Sequence, residues 1–238
     1  MGSTLLTTLI LGLTLGMEHA LDADHVVAVS TMVSQNRHPL KAALVGTFWG
    51  IGHTTTLFLV GLAVIIFKLT IPDELALSME FLVGVVLVVL GAQILWDYRK
   101  KRIHAHTHAH EGEMPTHTHF HSHTQSPEHQ FHITAHQHKS LIVGMIHGLA
   151  GSAALMLLVL STIRSPLEAI AYILIFGVGS IVGMVLISTL IGVPFAISSQ
   201  RFASLQRMIR FVAGAASVAL GFVVMYQVGF VEGLIWRF

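Results

Sequence analysis

The apolar residues of this chain fall into six stretches, roughly 4–33, 43–67, 81–98, 140–162, 169–197 and 211–230. A helix needs roughly 20 consecutive apolar residues to cross the hydrocarbon core of a bilayer, and each stretch is near or above that length. Only 11% of the residues are charged, against 53% hydrophobic, whereas a water-soluble domain is about 25% charged. There is too little polar surface here to cover a soluble globule. The expected fold class is an all-α polytopic membrane protein of six transmembrane helices. The first stretch has no Lys or Arg ahead of Leu5–Leu15, unlike a secretory signal, and reads as a retained helix interrupted near Gly16.

Charge and composition remove several function classes. Lys+Arg 13 against Asp+Glu 12 leaves no basic excess with which to hold nucleic acid. The absence of cysteine excludes thiol redox chemistry and Cys-based metal sites, and no Walker motif is present for ATP hydrolysis. Basic residues set the orientation. Arg37, Lys41, Arg99, Lys100, Lys101, Arg102, Lys139, Arg201, Arg207 and Arg210 fall on one side, with Lys68, Arg164 and Arg237 opposite. The first side is therefore expected in the cytoplasm and both termini outside, in the cytoplasmic membrane.

Between the apolar halves lies a polar segment, 99–139, holding twelve of the 17 histidines. It is expected to be a disordered cytoplasmic loop between a first three-helix unit (1–98) and a second (140–238). His104, His106, His108 and His110, then His117, His119, His121 and His123, alternate with other residues. That spacing cannot form one rigid tetrahedral site, but it offers loose, exchanging sites for metal near neutral pH. A solvated linker is the plainer reading of the same residues.

The two units repeat each other at nearly constant offset. Gly16-Met17-Glu18-His19-Ala20-Leu21 aligns with Gly144-Met145-Ile146-His147-Gly148-Leu149, and Phe48-Trp49-Gly50-Ile51-Gly52-His53 with Ile175-Phe176-Gly177-Val178-Gly179-Ser180. Phe81, Gly84, Leu90 and Gly91 align with Phe211, Gly214, Leu220 and Gly221. With three helices per unit the second must insert upside down. Inverted repeats are a transporter architecture whose substrate sites sit near mid-membrane, where helices break.

The ionisable groups of the spans collect at such places. Glu18, His19, Asp22, Asp24 and His25 crowd one apolar span. An acid at the centre of a span costs about 2.5–3.5 kcal/mol, so the group calls for a compensating partner, and a divalent cation supplies it. At about 100° per residue, His19, Asp22 and His25 fall within roughly 120° of one another, while Asp24 faces away unless the helix unwinds. Imidazole with carboxylate suits a first-row transition metal. His53 follows two glycines and precedes Thr54, Thr55 and Thr56, which fits a ligand with hydroxyls around it, although a lone packing histidine is the plainer alternative. His147 repeats His19 but has lost the acids, Ala150 and Ser152 standing where Asp22 and Asp24 would be. It fits a ligand or a helix-packing residue equally. The metal candidates are His19, Asp22, Asp24, His25 and His53, with Glu18 and His147 as further members.

His19-Ala20-Leu21-Asp22-Ala23-Asp24-His25 matches the His-x4-Asp-His signature of the nickel/cobalt transporter (NiCoT) family, and Gly52-His53-Thr54 resembles its second signature. The chain is similar to the shorter UreH-like and RcnA-like branch, over roughly 4–98 and 140–230. The resemblance implies a metal-binding first motif, with His19, Asp24 and His25 in that role. It also implies secondary transport of Ni²⁺ or Co²⁺, with the ion as cargo and no bound cofactor, and a link to nickel-enzyme maturation. Uptake is the expected direction; efflux of the same ions, or a zinc transporter with a His-rich loop, is the alternative. A histidine-box oxygenase is set aside, because the spans offer only His19, His25, His53 and His147. Partners are thus a divalent metal ion and the bilayer.

Overall fold

The computed structural model describes residues 2–34, 39–69, 71–100, 106–107, 118–119, 137–150, 163, 165–201 and 203–237. It is helical almost throughout. The helices are α1 (Gly2–His19), α2 (Ala23–Val33), α3 (Pro39–Phe67), α4 (Asp73–Lys100), α5 (137–150 within the described residues), α6 (Pro166–Arg201) and α7 (Ala203–Tyr226). α7 runs on into a π-helical turn, Gln227–Val231. Among the described residues, four helices are long and apolar enough to cross a membrane, covering Pro39–Phe67, Asp73–Arg99, Pro166–Phe195 and Ser204–Trp236, beside two shorter apolar helices, Leu9–His19 and Ala23–Val33.

Local chemistry accounts for the main boundaries. Pro39 and Pro166 open α3 and α6, where a missing N–H is harmless and φ is already helical. Lys68, at φ 51, ends α3 in the left-handed region.

The first apolar stretch is two helices, and the interruption expected near Gly16 falls a few residues further on. That glycine stays helical. The break falls at Ala20–Leu21–Asp22, where Leu21 N–H donates to Glu18 O (2.8 Å) and Asp22 N–H to His19 O (3.1 Å) before Val26 N–H restarts the helical pattern on Asp22 O (3.0 Å). The sequence offers Gly16 as the flexible point, yet packing needs it inside the helix. A Cβ on Gly16 would strike the Phe176 carbonyl of α6.

Close backbone approach at small residues is how these helices associate, as expected where apolar surroundings remove the hydrophobic drive between them. Gly12 meets Tyr172, Gly16 meets Phe176 and Gly183 meets Ala20, so α1 lies alongside α6 in the same direction. Gly144 meets Trp49, Gly52 meets Leu141, and Gly148 meets His53, so α5 lies alongside α3 in the same direction. α3 and α6 run antiparallel, with Gly46 on Met184, Gly50 on Ile181 and Gly177 on Thr54. α4 and α7 also run antiparallel, Gly84 meeting Gly221 and Gly91 meeting Gly214. The Ser217 hydroxyl crosses that last interface to donate to Leu87 O at 2.7 Å.

Interhelical hydrogen bonds of this kind average about 0.6 kcal/mol in membranes, with a maximum of about 1.7. Ser217→Ala is therefore expected to lower the thermal midpoint of the detergent-purified protein by a few degrees at most. A fall beyond about 10 °C would mean the α4–α7 contact depends on that one bond.

Trp49, Leu87, Met184 and Val33 lie in a common buried core, while Leu40, Phe67, Leu167 and Leu190 face outward. An apolar exterior around a core with buried histidine and serine is the inverse of a soluble protein. Of the His-rich segment, the described residues include a short antiparallel pairing, His106 with His119 and Thr107 with Thr118. The expected disorder of the remainder, and His104, His108, His110, His117, His121 and His123, lie outside the described residues.

Candidate metal centre

The α1–α2 break turns three histidines from two spans toward one point. His19 is the last residue of α1 and His25 lies in the first turn of α2. His53 comes from the middle of α3, where Gly50 and Gly52 bring that helix against α6 and α5. The His19 ring lies 4.8 Å from that of His25 and 5.1 Å from that of His53, and His25 and His53 are 5.2 Å apart. Each of the three residues can offer a ring nitrogen such that all three atoms lie within 4.8 Å of one another.

The donor atoms are free. Among the described residues, His19 Nε2, His25 Nε2, both ring nitrogens of His53, and His147 Nε2 are buried with no hydrogen-bond partner. Leaving a buried polar atom unpaired costs about 1–3 kcal/mol, so these rings are a costly grouping unless a further group meets their nitrogens.

The carboxylates take a different position. Asp22 accepts from His19 Nδ1 at 2.7 Å, and Asp24 Oδ1 accepts from His25 Nδ1 at 3.1 Å. A carboxylate that holds Nδ1–H fixes the tautomer and leaves the Nε2 lone pair for a metal. Asp22 starts α2 without capping it by its side chain, since that side chain is turned back to His19. Asp24, which a continuous helix would point away, reaches inward because the helix is broken. Asp22, Asp24 and His25 also form a second group able to meet one ion. Glu18 is exposed and lies outside both groups.

His147 adjoins the cluster, its ring 5.3 Å from that of His25 and its Nε2 3.9 Å from Asp24 Oδ2. Its Nδ1 donates to Val143 O at 3.1 Å. Nitrogen and oxygen donors of this kind suit a first-row divalent ion and leave harder magnesium or calcium poorly served.

The family comparison agrees with this chemistry. The profile of the family described as NicO, high-affinity nickel-transport protein, matches residues 5–234. The chain belongs to the NicO nickel-transport family. A urease accessory protein, UreH of Bacillus sp. (strain TB-90), is 41% identical over 230 residues, which cover 97% of this chain and 95% of that protein. No solved structure matches. The NicO chain is thus a membrane transport protein rather than an enzyme.

Three residues that the motif reading passed over also line the NicO cluster or approach it. Trp49 lies 4.8 Å from His147 and 6.2 Å from His25, ring to ring, with a buried, unpartnered indole N–H. Phe176 lies 5.5 Å from His19. The Ser180 hydroxyl is buried without a partner, on the α6 turn against Gly16. The signal for all three was in the repeat, which pairs Trp49 with Phe176 and His53 with Ser180.

Proposed function

We propose that this chain is a secondary transporter that carries Ni²⁺, or Co²⁺, inward across the cytoplasmic membrane through a site made by His19, His25 and His53. The observation that carries this reading is the buried trio of imidazoles with unpartnered ring nitrogens inside an apolar helix bundle. Asp22 and Asp24 hold the His19 and His25 rings and supply the negative charge that balances the ion. The His-rich segment is the cytoplasmic store, and both termini lie outside.

Six spans in two inverted halves form the frame of this reading, with the α1–α2 pair as the first span. Support comes from contacts that exchange under the repeat. Gly16 meets Phe176 as Gly144 meets Trp49, and Gly179 meets Leu13 as Gly52 meets Leu141. Gly50 meets Ile181 as Gly177 meets Thr54, and the Gly84–Gly221 contact maps onto Gly214–Gly91. Each half's first helix is parallel to the other half's second, so the halves point in opposite directions. A two-fold axis in the membrane plane relates such halves.

A divalent ion moving inward gains about 4.6 kcal/mol per 100 mV, enough for uptake with no second coupling ion. Sealed vesicles of the full chain, given Ni²⁺ outside, should accumulate it in proportion to an inside-negative potential. Loss of accumulation with the potential applied, together with export from loaded vesicles against a proton gradient, would reverse the direction. Asp24→Asn removes the charge but keeps an acceptor near His25. It is expected to weaken Ni²⁺ binding by about 10–100-fold, the usual cost of losing a ligand's hydrogen-bond partner. Affinity unchanged in equilibrium dialysis would remove that role from Asp24.

A further inference from the structure

We propose that the ion occupies two positions in turn, a first between His19, His25 and His53 and a second between His25, Asp24 and His147, with Phe176 and Trp49 closing the two ends. This inference rests on the transport reading above.

The geometry for a second position lies at Asp24 and His147, beside His25. Asp24 Oδ2 and His147 Nε2 are 3.9 Å apart. That is too long for a hydrogen bond, yet it is within the roughly 4.2 Å that two metal–donor bonds of about 2.1 Å can span. Val143 O takes the His147 Nδ1 proton, leaving the Nε2 lone pair turned toward Asp24. His147 Nε2 is buried and has no hydrogen-bond partner among the described residues, as its counterpart His19 Nε2 is at the first position. His25 neighbours both end histidines, its ring 4.8 Å from His19 and 5.3 Å from His147. A ligand shared by both positions allows one ion at a time and hands it across.

The ends are equivalent in sequence but not in exposure. His19 with Phe176 and His147 with Trp49 exchange under the repeat, and in each pair an aromatic ring packs on the imidazole, at 5.5 and 4.8 Å. The His19 side chain keeps 20% of its surface, beside an exposed Asp22, while the His147 side chain has none. The conformation is therefore open toward His19 and closed at Trp49. Rocking one half against the other would exchange these two states and move the ion's access from the His19 end to the His147 end.

The test measures Ni²⁺ binding and Ni²⁺ transport on the same full-length preparations. Wild type is expected to bind one Ni²⁺ per chain. His147→Gln should keep that stoichiometry with affinity within about threefold of wild type, because the first position is intact, while vesicle uptake falls at least tenfold. His19→Gln should lose binding at least tenfold. His147→Asn repeats the first comparison with a smaller side chain, and both are read on monodisperse protein. Wild-type uptake in His147→Gln and His147→Asn would overturn the hand-off. So would binding lost as fully as in His19→Gln, since that result describes one site of four imidazoles. Failure of the transport reading itself would be visible earlier, as a wild-type protein that neither binds nor accumulates Ni²⁺, and it would remove this proposal with it.

Discussion

His25→Ala abolishes nickel accumulation, the largest functional effect expected from a single substitution in this chain. His25 is 3% exposed and is common to both donor groups found among the described residues, one with His19 and His53 and one with Asp22 and Asp24, and its Nδ1 lies 3.1 Å from Asp24 Oδ1. Deleting a partner that merely orients a metal ligand costs about 10–100-fold in affinity, so deleting a central ligand is expected to exceed that range. Initial rates of Ni²⁺ entry into vesicles would show it, with Thr14→Ala as the control. Thr14 is on α1, and its hydroxyl bonds back to Ile10 and Leu11 of its own helix. Uptake by His25→Ala above about a tenth of the wild-type rate would move the ion path away from this cluster.

Gly16→Val and Gly144→Val should be the most damaging substitutions for folding, and they should damage it equally. At each position an added Cβ would lie 2.9 Å from a carbonyl carbon of the neighbouring helix, Phe176 for Gly16 and Trp49 for Gly144. Backbone cannot rotate out of the way as a side chain can, so the helices must separate. Overpacking of this sort costs about 1–3 kcal/mol and sometimes more, equivalent to a fall of roughly 2–12 °C in thermal midpoint for a chain of this size. Gly12→Ala is the mild comparison, since its Cβ would meet the Tyr172 ring at 3.2 Å, and a ring edge can yield. Midpoints that fall for one of the valine variants and not the other would count against equivalent packing of the two halves. Because both positions also border the histidine cluster, loss of transport should accompany loss of stability.

Much of this was legible in the chain itself. Apolar runs in a sequence with 11% charged residues leave the bilayer as the only solvent that suits them, so the helical membrane class follows from composition and length. The His19–His25 motif and the Gly-His pair at His53 carry the metal chemistry in residue type alone, because imidazole with carboxylate selects a transition metal. The repeat pointed to the places where the two halves meet.

What the sequence left open depends on contacts between distant residues. The flexible Gly16 marked the neighbourhood of the interruption, and helical periodicity turned Asp24 outward unless the helix unwound. Packing of α1 on α6 keeps Gly16 helical and shifts the break to Ala20–Asp22, which turns Asp24 back to His25. Spacing could not separate ligating from orienting carboxylates, since both are short-range neighbours of histidines. In the folded chain each carboxylate holds a histidine Nδ1, Asp22 at 2.7 Å and Asp24 at 3.1 Å. His147 was ambiguous for the same reason, being 122 residues from His25 along the chain. The sequence by itself determined the solvent, the helices and the kind of ion that the donors suit, because those depend on composition and local period. Only the tertiary structure decided which nitrogens remain unpaired and where the helix breaks, because glycine-mediated approach of α1, α3, α5 and α6 sets both.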